Sequence, residues 1–355
     1  MILDNLEEIR KIDKSNVLGS VEALPDQCLH AWGEVEKVDV SDSYKNIDSL
    51  VMSGMGGSGL AARVIDSVYG KTLKVPLVQV HEYDLPGFVD SKSLVVCSSY
   101  SGNTEETINT FKQALKKKAK ILTIFSGGKL EKLSKKHNIP FYKIYPKYNP
   151  SNQPRMAIGY SIVGQLALVQ KAGILKLKKQ QIETFIKVMK KVQEKCHVLK
   201  PADKNPAKKM AKIFKDKIIN LVAAEHLTGA IHVFKNQLNE NSKAFAVRFN
   251  IPELNHHLME GLKEPDVNKR DLLFFFAQSQ LYGEKNQKRI NITQDVVKGN
   301  KVETFLWQAE AKDKLSQVFE LIQFGAYVNF YLAMLYGTNP APIKWVDYFK
   351  QQLKK

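Results

Sequence analysis

The chain has 355 residues, 44% of them hydrophobic, and a formal net charge of +17; that is enough apolar material for two domains with their own cores. Cys28, Cys97 and Cys196 are too few and too far apart for a disulfide framework or a metal-type pair, and Asp4, Glu7, Glu8 and Asp13 interrupt any secretory apolar core, so a cytoplasmic protein is expected. Arginine supplies only six of the 53 basic residues, and no aromatic stripe accompanies the lysine-rich runs near 116–120, 176–217 and 349–355. The charge therefore argues against a nucleic-acid reader and is read as solvated helix faces.

Residues 1–45 are charged and expected to be helical, with Pro25 breaking the run. Strands are expected at Leu50–Ser53, Leu77–Val80, Leu94–Ser98, Ile121–Phe125 and Phe141–Tyr145, with helical stretches such as Thr104–Lys118 between them. A lysine-rich segment around Pro201 to Pro206 marks a boundary. A second set follows at Ile218–Ala224, Ala244–Phe249, Asp271–Ala277 and Val302–Trp307. Leu315–Tyr336 approaches the length of a membrane span, but Gln317, Glu320, Gln323 and Asn329 run through it, which suits a core helix and no membrane. The alternation of strand and helix implies an α/β protein with two doubly wound parallel sheets flanked by helices. The expected division is a helical segment 1–45, a first domain 46–200 and a second domain 201–355.

Two segments of the first domain repeat one device: Val51–Gly59, VMSGMGGSG, and Val95–Thr107, VVCSSYSGNTEET. Each is an apolar run, a tight loop of small residues and a helix-compatible segment. Unpaired N–H groups at a helix start, with the positive end of its dipole, can hold a phosphate without a lysine. Gly56 and Gly57 let the anion approach the backbone, and Ser58, Ser99, Ser101 and Thr104 supply hydroxyl donors. The first loop also satisfies G-x-G-x-x-G at Gly54, Gly56 and Gly59, with Glu82 where a dinucleotide fold keeps its ribose acid. A nicotinamide-dependent dehydrogenase is therefore the rival, but it has no use for a string of hydroxyls in the second loop. Close packing alone would not need so many donors.

Together with GMGGSG, the second loop resembles the sugar isomerase, or SIS, domain. Gln153-Pro154-Arg155, Asn239-Glu240-Asn241-Ser242-Lys243 and Pro252-Glu253-Leu254-Asn255-His256 extend the resemblance to bifunctional phosphoglucose/phosphomannose isomerases, in order, over residues 51–350. Aldose–ketose isomerisation needs a ring-opening acid, a carboxylate to carry a proton between adjacent carbons and a cation beside the enediolate. The resemblance assigns these to Glu240 as base, His256 with Lys350 as ring-opening groups, and Arg155 as stabiliser. Burial is expected to raise the Glu240 pKa.

The resemblance further implies a phosphorylated hexose substrate, no cofactor or metal, and a homodimer in which His256 completes the partner's pocket. Two departures appear. His256-His257 stands where the family continues His-Asn, and Ile343 falls in the register of a hydroxyl or amide linked to mannose 6-phosphate. The second half is expected to lack phosphate loops. A non-catalytic SIS sensor is the other alternative, although no helix-turn-helix segment accompanies these loops.

Overall fold

A computed structural model describes residues 2–353. Helices α1 (Leu6–Ile12), α2 (Val17–Glu22) and α3 (Leu24–Glu36) come first. The helical run does break beside Pro25, between α2 and α3 at Ala23, but the proline opens the new helix instead of ending the old one. It sits in the first turn of α3, where its missing N–H has no intrahelical partner to lose.

The first half comprises β1 (Ser49–Gly54), α4 (Leu60–Tyr69), β2 (Leu77–Val80), β3 (Ser93–Ser98), α5 (Glu105–Lys116), β4 (Lys120–Phe125), α6 (Gly128–Lys136) and β5 (Phe141–Lys143). Its five strands are all parallel, in the order β2-β1-β3-β4-β5. Helices α7 (Ile158–Lys171), α8 (Lys179–Cys196) and α9 (Pro206–Phe214) lead into the second half. That half comprises β6 (Ile218–Ala224), α10 (Thr228–Gln237), β7 (Ala246–Ile251), α11 (Asn268–Asp271), β8 (Leu272–Gln278), α12 (Glu284–Gly299) and β9 (Glu303–Gln308). It forms a parallel sheet of order β7-β6-β8-β9. The chain ends in α13 (Lys314–Leu335) and α14 (Lys344–Gln352).

The expected strands lie within two residues of those observed at most of their ends, because both faces of each sheet are covered. Leu50, Met52, Leu94, Val96, Leu122 and Ile124 join the large core shared with α7 and α13. Val51, Val95, Cys97 and Ile121 alternate onto the other face and pack with Phe111 and Leu130. Covering both faces turns each strand into a continuous apolar run.

Helix α13 is the segment of membrane-span length, and its most apolar window is 94% buried inside the protein. Most of its polar side chains are tied to main chain or neighbours: Gln323 Nε2 donates to Val21 O at 3.0 Å and Asn329 Nδ2 to Gly325 O at 2.7 Å, although Gln323 Oε1 and the Tyr327 hydroxyl are buried without a partner among the described residues. Glu320 accepts the amides of Glu310 and Ala311 at 3.0–3.1 Å. The two halves meet where α4 crosses α10 so closely that a Cβ on Gly229 would lie 2.7 Å from Arg63 O.

A 2-1-3-4-5 order differs from the 3-2-1-4-5-6 order of a dinucleotide fold, and it puts the topological switch point between β1 and β3. Both glycine- and serine-rich loops leave the sheet at that point. Glu82, the ribose acid of the dehydrogenase alternative, is exposed beyond the edge strand β2.

Candidate active site

At the switch point, residues 56–59 form a single 3₁₀ turn leading into α4, and Thr104 is the N-cap of α5. Neither α4 nor α5 has a side-chain hydrogen bond at its N-cap, so the first N–H groups of both helices have no side-chain partner there. Ser58 Oγ accepts the Tyr100 amide at 3.0 Å, which ties the two loops together and leaves the Ser58 hydroxyl proton free to donate. Ser99 and Thr104 hydroxyls lie 2.8 Å apart, and Ser101 Oγ accepts the Asn103 amide at 3.2 Å.

Gly102, at φ +66°, brings the second loop so close to Gly127 that a Cβ would lie 1.8 Å from Gly127 O. Helix α7 anchors the first loop. Gln165 Nε2 donates to Ser58 O at 3.0 Å and to Ser98 Oγ at 3.1 Å, and Ser161 Oγ to Gly57 O at 3.2 Å. Gln165 and Ser161 carry no local sequence signal for this role; only the fold brings them under the loop.

Arg155 follows the loops in space: a Cβ on Gly57 would stand 3.9 Å from its Cα. Arg155 is 7% exposed. Nε donates to Asn241 Oδ1 at 2.8 Å, Nη1 to Gln153 Oε1 at 2.9 Å, and Nη2 to Pro340 O at 2.9 Å and to Ala341 O. Four of five N–H donors are thus engaged by the protein, leaving one on Nη1 together with the charge. Arg155 ties the first half to the segment that carries α14.

Glu240 lies in a π turn, Leu238–Ser242, that continues α10. Such widened turns recur at functional sites because they push a side chain out of the helical register. Asn241 and Ser242 pin the turn to α13, through Asn329 Oδ1 at 3.0 Å and Asn329 O at 2.7 Å. Burial raises the Glu240 carboxyl above its ordinary value, outweighing the opposite pull of Arg155, Lys243, Lys235 and Lys350.

Lys243, an exposed residue, turns its ammonium onto Glu240 O at 2.5 Å and Pro340 O at 3.0 Å. There burial, then Arg155, push its pKa down to about 8. In sequence Lys243 reads only as a neighbour of Glu240. Lys350 lies in α14, and Asp347 of the same helix acts on Arg155.

Arg155, Glu240 and Lys350 are therefore gathered by one chain, beside the loops that carry Gly56, Gly57, Ser58, Ser99, Ser101 and Thr104. His256 is not gathered with them. It is exposed on a one-turn helix after the edge strand β7, and its ring makes no hydrogen bond among the described residues. The loop itself is fixed, since Asn255 donates to Thr293 Oγ1 at 2.7 Å and accepts from Arg289 at 3.2 Å.

The SIS domain family matches residues 43–174, and the bacterial phospho-glucose isomerase C-terminal SIS domain matches residues 203–353. A hypothetical protein of Thermus thermophilus shares the fold at a TM-score of 0.75 and 16% identity, over 98% of this chain and 93% of that one. So does the C-terminal domain of glucosamine-fructose-6-phosphate aminotransferase from Francisella tularensis, at 0.64 and 15%, over 97% and 98%. In sequence, the chain is 34% identical over 341 residues to a bifunctional phosphoglucose/phosphomannose isomerase of Caldicellulosiruptor bescii, covering 94% of this chain and 98% of that protein. With both halves matched and that identity sustained from end to end, the chain belongs to the bifunctional phosphoglucose/phosphomannose isomerase family.

Proposed function

We propose that the chain interconverts glucose 6-phosphate, and mannose 6-phosphate less readily, with fructose 6-phosphate through an enediol(ate), without a metal. The observation that carries this reading is Glu240, a half-buried carboxyl with raised proton affinity, on which Arg155, Lys243, Lys235 and Lys350 all act, with Arg155 standing beside the Gly57 turn. The substrate phosphate sits on the Gly56–Ser58 turn and the Ser99–Thr104 loop. Glu240 takes the proton from C2 of the open aldose and returns it to C1. A raised pKa suits a group that must both accept and release that proton near neutrality. Arg155 offers its remaining N–H and its charge to the oxygen that becomes negative.

Ring opening falls to Lys350 with the partner subunit's His256. Two features support a shared site. His256 stands apart from Glu240 within one chain, and α14 leaves Trp345, Tyr348 and Phe349 between 54% and 74% exposed. A bare aromatic face of that kind on the helix carrying Lys350 suits a second copy.

The test is a coupled assay on fructose 6-phosphate with EDTA present, reading glucose 6-phosphate and mannose 6-phosphate separately. Both products are expected, with glucose 6-phosphate in excess. Binding of fructose 6-phosphate without either product would place the chain among sensors. Mixing inactive Glu240→Gln and His256→Ala proteins should restore activity at one site of each mixed dimer, and no recovery after subunit exchange would refute the shared site.

A further inference from the structure

Helices α4 and α10 cross at Gly229, where a Cβ would lie 2.7 Å from Arg63 O and 2.8 Å from Val64 Cα. So close a crossing brings Arg63 of α4 to act on His232, which with Lys235 follows Gly229 along α10. Arg248 of β7 reaches the same place: its Nε donates to His232 Nδ1 at 2.7 Å and its Nη1 to Asn250 Oδ1 at 2.8 Å. His81, just beyond β2, borders it. Its Nδ1 lies 2.8 Å from Gly54 O, and a Cβ on Gly59 would stand 2.9 Å from its Cε1. Five basic side chains drawn from both halves thus share one seam, all of them half-buried. The chain has only six arginines, and two of them are here.

Nothing within the chain balances this charge. Among the described residues Arg63, Lys235 and Arg248 form no ion pair, and the Arg63 guanidinium makes no hydrogen bond. Asp66, one turn on from Arg63, accepts from Gln79 at 2.9 Å, and Glu82 is exposed. Glu240 acts on Lys235, but the charges acting on His232 and Arg63 are all positive. Burial first, and then those like charges, hold both groups below their ordinary values. Like charges gathered out of water cost stability unless an anion joins them.

The unused donors suit a tetrahedral oxyanion. Arg63 offers all of its N–H groups and Arg248 those left on Nη1 and Nη2, in forks that each span two oxygens. Lys235 adds an ammonium. His232 accepts from Arg248 through Nδ1, so its proton sits on Nε2 and is free to donate. His81 gives its Nδ1 proton to Gly54 O, and its Nε2 is buried without a partner among the described residues. Two guanidiniums and an ammonium match the charge and the several oxygens of a phosphate better than a lone carboxylate.

We propose that this seam is a second anion site, for inorganic phosphate or a phosphate monoester, distinct from the loops of the active site. It lies on the β2 side of β1, whereas the Ser99–Thr104 loop follows β3 on the other side. An anion held there clamps α4, which leaves the Gly56 turn, to α10, which ends in the Glu240 turn. It is therefore an effector site, and it does not depend on the isomerase reading.

Calorimetric titration of the full-length protein with inorganic phosphate, at constant ionic strength, tests it. Wild type should bind two phosphates per chain. Ser58→Ala with Thr104→Ala should weaken one, and Arg63→Gln the other by about tenfold or more. Melting gives a second readout: Arg63→Gln relieves repulsion, so in chloride it should melt at or above wild type, and phosphate should stabilise wild type more than the variant. Arg63→Met is held to the same results should the first variant not fold. Phosphate binding unchanged by Arg63→Gln, or abolished entirely by the Ser58 and Thr104 substitutions, overturns the proposal. If Arg63→Gln also turns a dimer into monomers while phosphate binding is unchanged, the cations belong to acidic groups of a second copy and the proposal falls. A single phosphate removed by Arg63→Gln alone would sustain the seam site and count against the loops.

Discussion

Arg155→Ala should destabilise the protein and loosen α14 as well as impair turnover. Arg155 is 7% exposed and engages four acceptors. After truncation, Pro340 O keeps Lys243 at 3.0 Å, and Gln153 is accessible enough to take water. Asn241 Oδ1 and Ala341 O are left as buried acceptors without partners, at about 1–3 kcal/mol each. With the packing of the aliphatic stem lost too, about 3–5 kcal/mol is expected. Unfolding entropy of about 2.1 cal/mol/K per residue makes each kcal/mol worth about 1.3 °C for a chain of 355 residues, hence a fall in Tm of about 4–7 °C.

Because Pro340 and Ala341 lead into α14, which buries no residue of its own, hydrogen exchange should rise most in residues 344–352. Arg155 also favours the charged form of Glu240, so its loss should move the acid limb of the kcat/KM profile to higher pH. A variant with wild-type melting and wild-type exchange in α14, inactive or not, would refute this account of Arg155 as the tie between the halves.

Glu240→Gln should lower kcat by about 10²–10⁴-fold, the usual worth of a general base. Burial raises this carboxyl in the folded state, so the native protein binds the proton more tightly than the unfolded chain; stability falls as pH rises from the ordinary value of 4.5 through the raised one. The Gln variant should accordingly melt above wild type at pH 7–8 and converge with it at low pH, whereas parallel melting curves across that range would contradict the raised pKa. Gly102→Ala, whose Cβ would meet Gly127 O at 1.8 Å, should distort the second loop and raise KM for fructose 6-phosphate by about tenfold or more with a smaller effect on kcat. Ile343→Thr should raise the ratio of mannose 6-phosphate to glucose 6-phosphate formed from fructose 6-phosphate, and should also steady α14, because Ile343 is its N-cap and has no capping bond; an unchanged ratio would remove Ile343 as a determinant of epimer tolerance.

Strands and loops were legible because their causes are local. A strand buried on both faces is an apolar run wherever it occurs, and a tight turn from a strand into a helix shows its small residues in sequence. Arg155 was legible as a motif residue but not as a tie, since its partners Asn241, Pro340 and Ala341 lie 86, 185 and 186 residues away. The π turn at Glu240 depends on α13 pinning Asn241 and Ser242, a contact with no periodicity to betray it.

The arrangement around Glu240 follows from two requirements that pull in opposite directions. A proton-transferring carboxylate needs raised proton affinity, which burial in the π turn provides; an enediolate needs cations, which lower that affinity. Had all four cations been as close to the carboxylate as an ion pair, the base would be locked in its charged form. Instead the charges act on it from a distance, Arg155 with most of its donors turned to the protein and Lys243 turned to main-chain carbonyls, so burial still prevails. The duplicated fold makes this separation possible. Helix α4 begins at the first switch point, where the anion would sit, and α10, crossing it at Gly229, begins at the second and ends in the turn that carries Glu240. On the proposed reading one half would contribute a helix start for the phosphate and the other a helix end for the base.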